Sequence, residues 1–307
     1  MYKKLILKCL LVFGLLASGI VGCSGHSPER VLADIEIRST ELDWNVISTQ
    51  PSRVKFQTLL TGSVTVLMGG MLNLDDPKTG HIKDEEISVD VYAHWIRHPI
   101  KGDFLIDTGL NKQFLTHPQG SLKGLIASFI IKDSTQHPNQ DILSQITRYG
   151  ITPRGVFLTH AHSDHSAGII DLPKDIPYYL GKNGSLHNYP FIMYTHHFEG
   201  IKKLLELDFD HASNMANLGK VIDIWGDASL FAISSPGHTK GHVSYLVHAD
   251  EGWILLTGDA SHTRWGFENG VIPGWSEDRD LAAKSLHKLM AFSDQNPNVR
   301  VIFGHQM

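Results

Sequence analysis

The run Gly155-Val156-Phe157-Leu158-Thr159 leads directly into His160-Ala161-His162-Ser163-Asp164-His165, which places four metal-binding side chains within six positions. The apolar run reads as a buried strand. Residues two apart on an extended strand end face the same way, so His160 and His162 can offer ring nitrogens to one point in space. The chain then leaves toward Ser166-Ala167-Gly168, where adjacent Asp164 and His165 can face a second point nearby. Imidazole with carboxylate is the donor set of zinc, and of iron, cobalt or manganese where more oxygen ligands join. With 19 His in 307 residues some clustering follows from composition alone.

A chain of this length with 42% hydrophobic content can bury one large core, in a domain of about 250 residues once a leader is removed. The net charge of -5 gives no basic stripe for nucleic acid and favours a small-molecule substrate. Lys3, Lys4 and Lys8 precede an apolar stretch at 9–20, too short for a comfortable membrane span and built like a secretory leader. Ile20-Val21-Gly22-Cys23 resembles the bacterial lipobox. That resemblance implies a lipoprotein signal peptide at 1–22, lipidation of Cys23 and anchoring at the cell envelope. Ser24, in place of Asp, resembles outer-membrane sorting in a host with two membranes. A plain secretory signal cut near Ala17 or Gly22, leaving a periplasmic or secreted protein, is the alternative. Cys9 lies in the leader, so a chain starting at Cys23 has no disulfide and no Cys metal ligand.

Residues 23–55 are weakly patterned and read as a tether that packs on the domain at its end, with a possible helix start at Ser27-Pro28-Glu29-Arg30. Strand patterns follow at 64–68, 89–96 and 104–109. Asp107 is either a metal ligand or, the favoured reading, a residue bonding the backbone of its own turn. Residues 141–149 read as a helix closed by Gly150. After the metal-binding run come a strand at 176–180 and a long insert at 181–220, with a helix expected over 198–207. The insert reads as a cap over the site, apolar enough to hold an acyl chain. Its His187, His196, His197 and His211 match no tight metal spacing and read as surface or substrate-side residues. Strands are expected at 221–225, 230–234, 242–248, 253–257 and 299–303. A helix over 280–292 is expected to bury Leu281, the stem of Lys284, Leu286 or His287, Leu289 and Met290, with Ser276 or Asp278 as cap.

Three distant points complete the pattern. Ser235-Pro236-Gly237-His238-Thr239 puts a His on a turn after a strand; Leu256-Thr257-Gly258-Asp259-Ala260 and Phe303-Gly304-His305 put an Asp and a His at strand ends, where glycine permits close backbone approach. In this order they resemble the metallo-β-lactamase superfamily, whose pattern runs His-x-His-x-Asp-His, Pro-Gly-His, Gly-Asp, Gly-His. The resemblance covers the chain from about residue 60 onward and implies an α/β (α+β) fold: a four-layer αββα sandwich over 56–307, a single domain with the cap-like insert, its metals in a groove at one sheet edge. Residue by residue it implies two divalent metal ions per chain, zinc above iron, cobalt or manganese. His160, His162 and His238 would bind the first, Asp164, His165 and His305 the second, and Asp259 would bridge both, leaving a bridging position for hydroxide.

Within the superfamily, the bridging Asp259 argues against the β-lactamases proper. The end of the chain at Met307 argues against glyoxalase-type thioesterases, and the absence of basic clamps argues against nucleic-acid-processing members. His238-Thr239-Lys240-Gly241-His242-Val243-Ser244, Asp259-Ala260-Ser261 and Pro273-Gly274 before the last helix resemble the N-acyl homoserine lactone lactonases, the quorum-quenching lactonases. These usually carry Tyr three residues after the bridging Asp, where this chain has His262. The resemblance implies lactone opening by the bridging hydroxide, with Asp164 and Asp259 holding ions and orienting water, and His262 assisting by a hydrogen bond. Phe191, Ile192, Met193, Trp265, Phe267 and Trp275 either line an acyl channel or pack the core; Lys240 is expected to be solvated. Other lactone or ester hydrolysis, β-lactam hydrolysis and non-catalytic zinc capture by a lipoprotein are the rival functions. The oligomeric state is not legible.

Overall fold

The computed structural model describes residues 27–37, 39–189 and 191–307; the leader, the lipobox and Cys23 lie outside the described residues. In chain order the strands begin with β1 (Glu29–Leu32), β2 (Glu41–Leu42) and the long pair β3 (Lys55–Leu67) and β4 (Glu86–His98). They continue with β5 (Gly102–Ile106), β6 (Asp133–Thr135), β7 (Pro153–Phe157), β8 (Tyr178–Gly181) and β9 (Lys203–Leu207). The second half supplies β10 (Ser213–Met215), β11 (Gly219–Asp223), β12 (Leu230–Ser234), β13 (Val243–Ala249), β14 (Gly252–Leu256) and β15 (Arg300–Ile302). One sheet has the order β1-β9-β8-β7-β5-β4-β3-β6 and the other β15-β14-β13-β12-β11-β10-β2.

Period-2 alternation decides which side chains fill which layer. Val243, Tyr245 and Val247 of β13 and Ile254 and Leu256 of β14 point between the sheets, onto Phe104 and Ile106 of β5 and Phe157 of β7. The intervening Leu246, Trp253 and Leu255 face outward, under the helix Arg279–Gln295. That helix is capped by the Asp278 carboxylate, which accepts from the Leu281 N–H, and it buries Ala282, Ser285, Leu286, Leu289 and Phe292. On the far side, the helix Ile142–Arg148 sets Ile142 and Ile146 against the outer face of the first sheet, with Asp141 as N-cap and Gly150 left-handed at φ 62° beyond its end. Helix, sheet, sheet, helix is the αββα order expected.

Several local expectations are corrected. Leu286 and Leu289 of the long helix are buried as expected, but Leu281, Lys284 and His287 are exposed and Met290 only half-buried, the buried face being completed by Ala282, Ser285 and Phe292. The helix start at Ser27–Arg30 is instead the beginning of β1, and the helix over 198–207 is a half-buried loop followed by β9. Lys203-Leu204-Leu205-Glu206-Leu207 fits either periodicity; backbone partners on both sides settle it, since β9 pairs in parallel with β8 and with β1. Residues read as tether thus complete the outer edges of both sheets, and Trp44 packs edge-on against Trp253 and Phe292, ring centroids 4.8 and 4.9 Å away.

Strand direction brings the candidate ligands together. β14 runs parallel to β15, and β12 and β14 both run antiparallel to β13, so the C-terminal ends of β12, β14 and β15 emerge at one edge. The Val243 N–H donates to the Thr159 carbonyl, 2.9 Å, which ties the end of β7 in the first sheet to that same edge.

Candidate metal centre

Seven side chains meet where the two sheets join. His160 Nε2, His162 Nδ1 and His238 Nε2 form a triangle with sides of 2.8, 3.0 and 3.2 Å. Ligand atoms on a tetrahedral zinc at the usual Zn–N length stand about 3.3 Å apart, so this triangle is slightly tighter than an occupied one. A second set surrounds a neighbouring point: Asp164 Oδ2 lies 3.3 Å from His305 Nε2 and 3.7 Å from His165 Nε2. Asp259 faces both. Its Oδ2 is 3.5 Å from His160, 3.4 Å from His238 and 3.3 Å from His165, and its Oδ1 is 3.7 Å from His305. All seven expected ligands are brought together as two groups, His160, His162, His238 and Asp259, and Asp164, His165, Asp259 and His305.

The donor chemistry fits cations. Among the described residues, the buried Asp259 Oδ1 and His165 Nε2 have no hydrogen-bond partner, an expensive arrangement unless a ligand claims them. Burial holds the imidazoles of His160, His162 and His238 well below their ordinary value, leaving neutral lone pairs. Burial also opposes charge on His165, but Asp259, Asp107 and Asp164 outweigh it and hold that ring well above its ordinary value; at His305 burial is likewise outweighed by Asp259 and Asp164, which raise it. Burial would raise the Asp259 carboxyl, yet His165, His262 and His305 hold it well down. The site demands positive charge.

Outer partners aim the rings. The Asp107 carboxylate accepts from His165 Nδ1, 2.8 Å, from the Thr159 hydroxyl, 2.8 Å, and from the Thr159 N–H, 2.7 Å. Asp107 is therefore neither a ligand nor a former of its own turn; it reaches across to the end of β7 from a left-handed backbone at φ 54°. His305 Nδ1 donates to the Asp90 carbonyl, 2.8 Å, and His242, unassigned by sequence reading, accepts the Asp259 N–H on Nε2, 3.0 Å. Gly304 has a steric role: a Cβ there would lie 2.1 Å from Asp259 Oδ1. His262 is buried beside the cluster, with Nδ1 donating to the Met71 carbonyl, 3.0 Å, and Nε2 3.1 Å from Asp259 Oδ2.

A cavity of about 480 Å³ opens onto the centre. Met193 and Trp275 line it as expected, but Phe191 and Ile192 are largely exposed, Phe267 belongs to the core, and Trp265 packs against His81. The remaining wall comes from Val64, Val66, Val89, Leu122 and Ile131, strand and loop residues with no sequence signal for a pocket. Of the insert histidines, His196 and His211 are exposed and His187 lines the cavity. His197 is buried, contrary to expectation, hydrogen-bonded to the Ser121 and Ser166 hydroxyls and pushed down by burial to about 3.

Residues 89–305 match the model of the metallo-beta-lactamase superfamily. The chain belongs to that superfamily. It is a metallo-hydrolase in fold and donor set. It is 27% identical over 235 residues to the N-acyl homoserine lactonase AttM of Azorhizobium caulinodans, covering 74% of this chain and 84% of that one. It is 26% identical to the N-acyl homoserine lactonase AiiA of Bacillus thuringiensis subsp. kurstaki, covering 67% and 78%. The fold is shared with an N-acyl homoserine lactone hydrolase solved with the product N-hexanoyl-L-homoserine at its catalytic metal centre (TM-score 0.64, 17% identity, 83% of this chain and 94% of that one).

Asp107→Asn keeps the shape and the tolerance for φ 54° but removes the charge behind His165. Zinc titration of the metal-free protein is expected to show affinity for one ion weakened about 10- to 100-fold, with the other less affected. Two equally tight ions in the variant would show that this carboxylate is dispensable.

Proposed function

We propose that this metallo-hydrolase is a dinuclear N-acyl homoserine lactonase that opens the lactone ring and so quenches a quorum signal. The observation that carries the reading is the mixed lining of the cavity. Asp164, His238, Asp259 and His305 line it together with the apolar Val64, Val66, Leu122 and Met193. Its volume suits a small ligand with a polar head and an apolar tail. The printed names of the curated relatives support the same substrate class.

Two divalent ions bound there supply a nucleophile from water near neutral pH and polarise the lactone carbonyl. The chain's own residues do the rest. His160, His162 and His238 present neutral lone pairs, and Asp259 is held from behind by His242. Asp164 reaches the cavity as the carboxylate placed to orient the attacking water. His262 assists the leaving oxygen under one condition: with its Nδ1 proton committed to the Met71 carbonyl, a neutral ring offers only a lone pair at Nε2, so donation requires the imidazolium.

The deciding experiment is ring opening of N-octanoyl homoserine lactone by the leaderless protein, with metal measured on the same sample. About two ions per chain and activity lowered more than about a hundredfold by Asp259→Asn are expected. Two ions with faster opening of a β-lactam or a simple ester would move the substrate elsewhere in the superfamily.

For His262, the Phe variant is expected to lose about a hundredfold in kcat. His262→Tyr, which donates without prior protonation, is expected to recover most of it. A Phe variant as fast as the parent would remove His262 from the chemistry.

We further propose export and lipid anchoring at Cys23. β1 runs parallel to β9, β8 and β7, so Glu29, six residues after Cys23, enters the sheet at the edge away from the metal centre. In a bacterial host the parent is expected in the membrane fraction with a lipid mass increment, and Cys23→Ser in the soluble fraction. An unmodified soluble parent cut near Ala17 or Gly22 would instead establish plain secretion.

A further inference from the structure

We propose that His187 binds the substrate, donating a hydrogen bond to the amide oxygen that joins the acyl chain to the lactone head. The inference deepens the lactonase reading and rests on it. His187 sits in the insert, its ring tilted against the ligand His162 with centroids 4.4 Å apart, and it lines the cavity. Tyr189 and Met193 of the same loop line it too. His187 therefore stands in the cavity wall directly beside the metal-facing group. In an acyl homoserine lactone the amide nitrogen is bonded to the ring carbon next to the lactone carbonyl, so a lactone held at that group brings its amide to this part of the wall.

Two features of His187 are costly in the free protein. Its backbone is left-handed at φ 51°, a region that residues other than glycine enter rarely and that marks functional sites when the surroundings enforce it. Its Nε2 is enclosed and has no hydrogen-bond partner, although buried polar side-chain atoms almost always find one. His165 and His305 each have the second ring nitrogen tied to a fixed oxygen; His187, like His238 with its unpartnered Nδ1, has no such tether, and unlike His238 it belongs to neither ligand group.

The loop holds the ring in place before any ligand arrives. The His187 N–H donates to the Ser185 hydroxyl, 3.0 Å, and Tyr189 and Met193 exchange backbone hydrogen bonds of 2.7 and 3.0 Å. Lys123 and Tyr194 pair likewise, 2.9 and 3.0 Å, pinning the loop to the neighbouring segment. A pre-positioned imidazole beside a metal ligand, with Nε2 unpartnered, is suited in the tautomer that carries its proton there to a neutral carbonyl oxygen and adds no charge to an apolar wall. A substrate without the amide makes no use of it.

The test compares N-octanoyl homoserine lactone with a γ-alkyl lactone of similar length that has no amide, using the metal-loaded protein. His187→Phe keeps a ring against His162 and removes both nitrogens; His187→Asn tolerates the left-handed backbone and keeps a donor. In His187→Phe the ratio of kcat/KM for the amide lactone to that for the alkyl lactone is expected to fall about tenfold, mostly through KM, with two ions still bound and the melting temperature held. His187→Asn is expected to recover part of the ratio. An unchanged ratio in His187→Phe overturns the inference while leaving the lactonase reading intact, as does loss of a bound ion, which would make His187 a support for His162. A parent protein that opens neither lactone overturns both.

Discussion

Everything at this centre depends on one buried carboxylate. Asp259 lies at the end of β14 with ring nitrogens of His160, His165, His238, His262 and His305 within 3.7 Å. An ionised carboxylate this deep is tolerable only beside positive charge. The same carboxylate raises the proton affinity of His165 and His305, which marks where positive charge is favoured. Divalent ions held by these donors would supply that charge.

The surrounding structure holds that carboxylate and its partners still. Gly304 leaves room for Oδ1, and His242 takes the Asp259 N–H; Asp107 and the Asp90 carbonyl fix the tautomers of His165 and His305. These contacts come from β15, β14, β13, β5 and β4 and their flanking turns, so the two sheets must be packed before the site exists. The apolar layer between the sheets, with Tyr245 fully buried and donating its hydroxyl to the Leu158 carbonyl, is in that sense part of the metal centre. The cavity wall extends the same economy, since Val64, Val66 and Val89 belong to strands whose neighbours are core residues.

The candidate ligands were legible because metal coordination restricts residue type and strand ends restrict spacing. His160, His162, Asp164 and His165 lie within one short segment, and the glycines beside His238, Asp259 and His305 mark where backbone comes close. The resemblance to a known superfamily then ordered the distant members. Short apolar runs between turns made the strands at 242–248 and 253–257 readable, and Asp278 with Leu286 and Leu289 behind it made the long helix readable, though not the other residues of its buried face.

Other features had no local signature. Lys203–Leu207 became a strand because β8 and β1 offered hydrogen bonds on both sides, and Glu29–Leu32 became one for the same reason. Asp107 reaches a histidine 58 positions away, His197 is buried between two serines, and His187 turns its ring onto His162; none of these depends on a neighbour in sequence. The sequence by itself determined the ligand types, the order in which they arrive and the α/β class, because these follow from donor chemistry and short-range periodicity. The tertiary structure alone decided which oxygen orients each ring, which apolar residues line the cavity and where the N-terminal segment goes, because those contacts exist only once the sheets have packed.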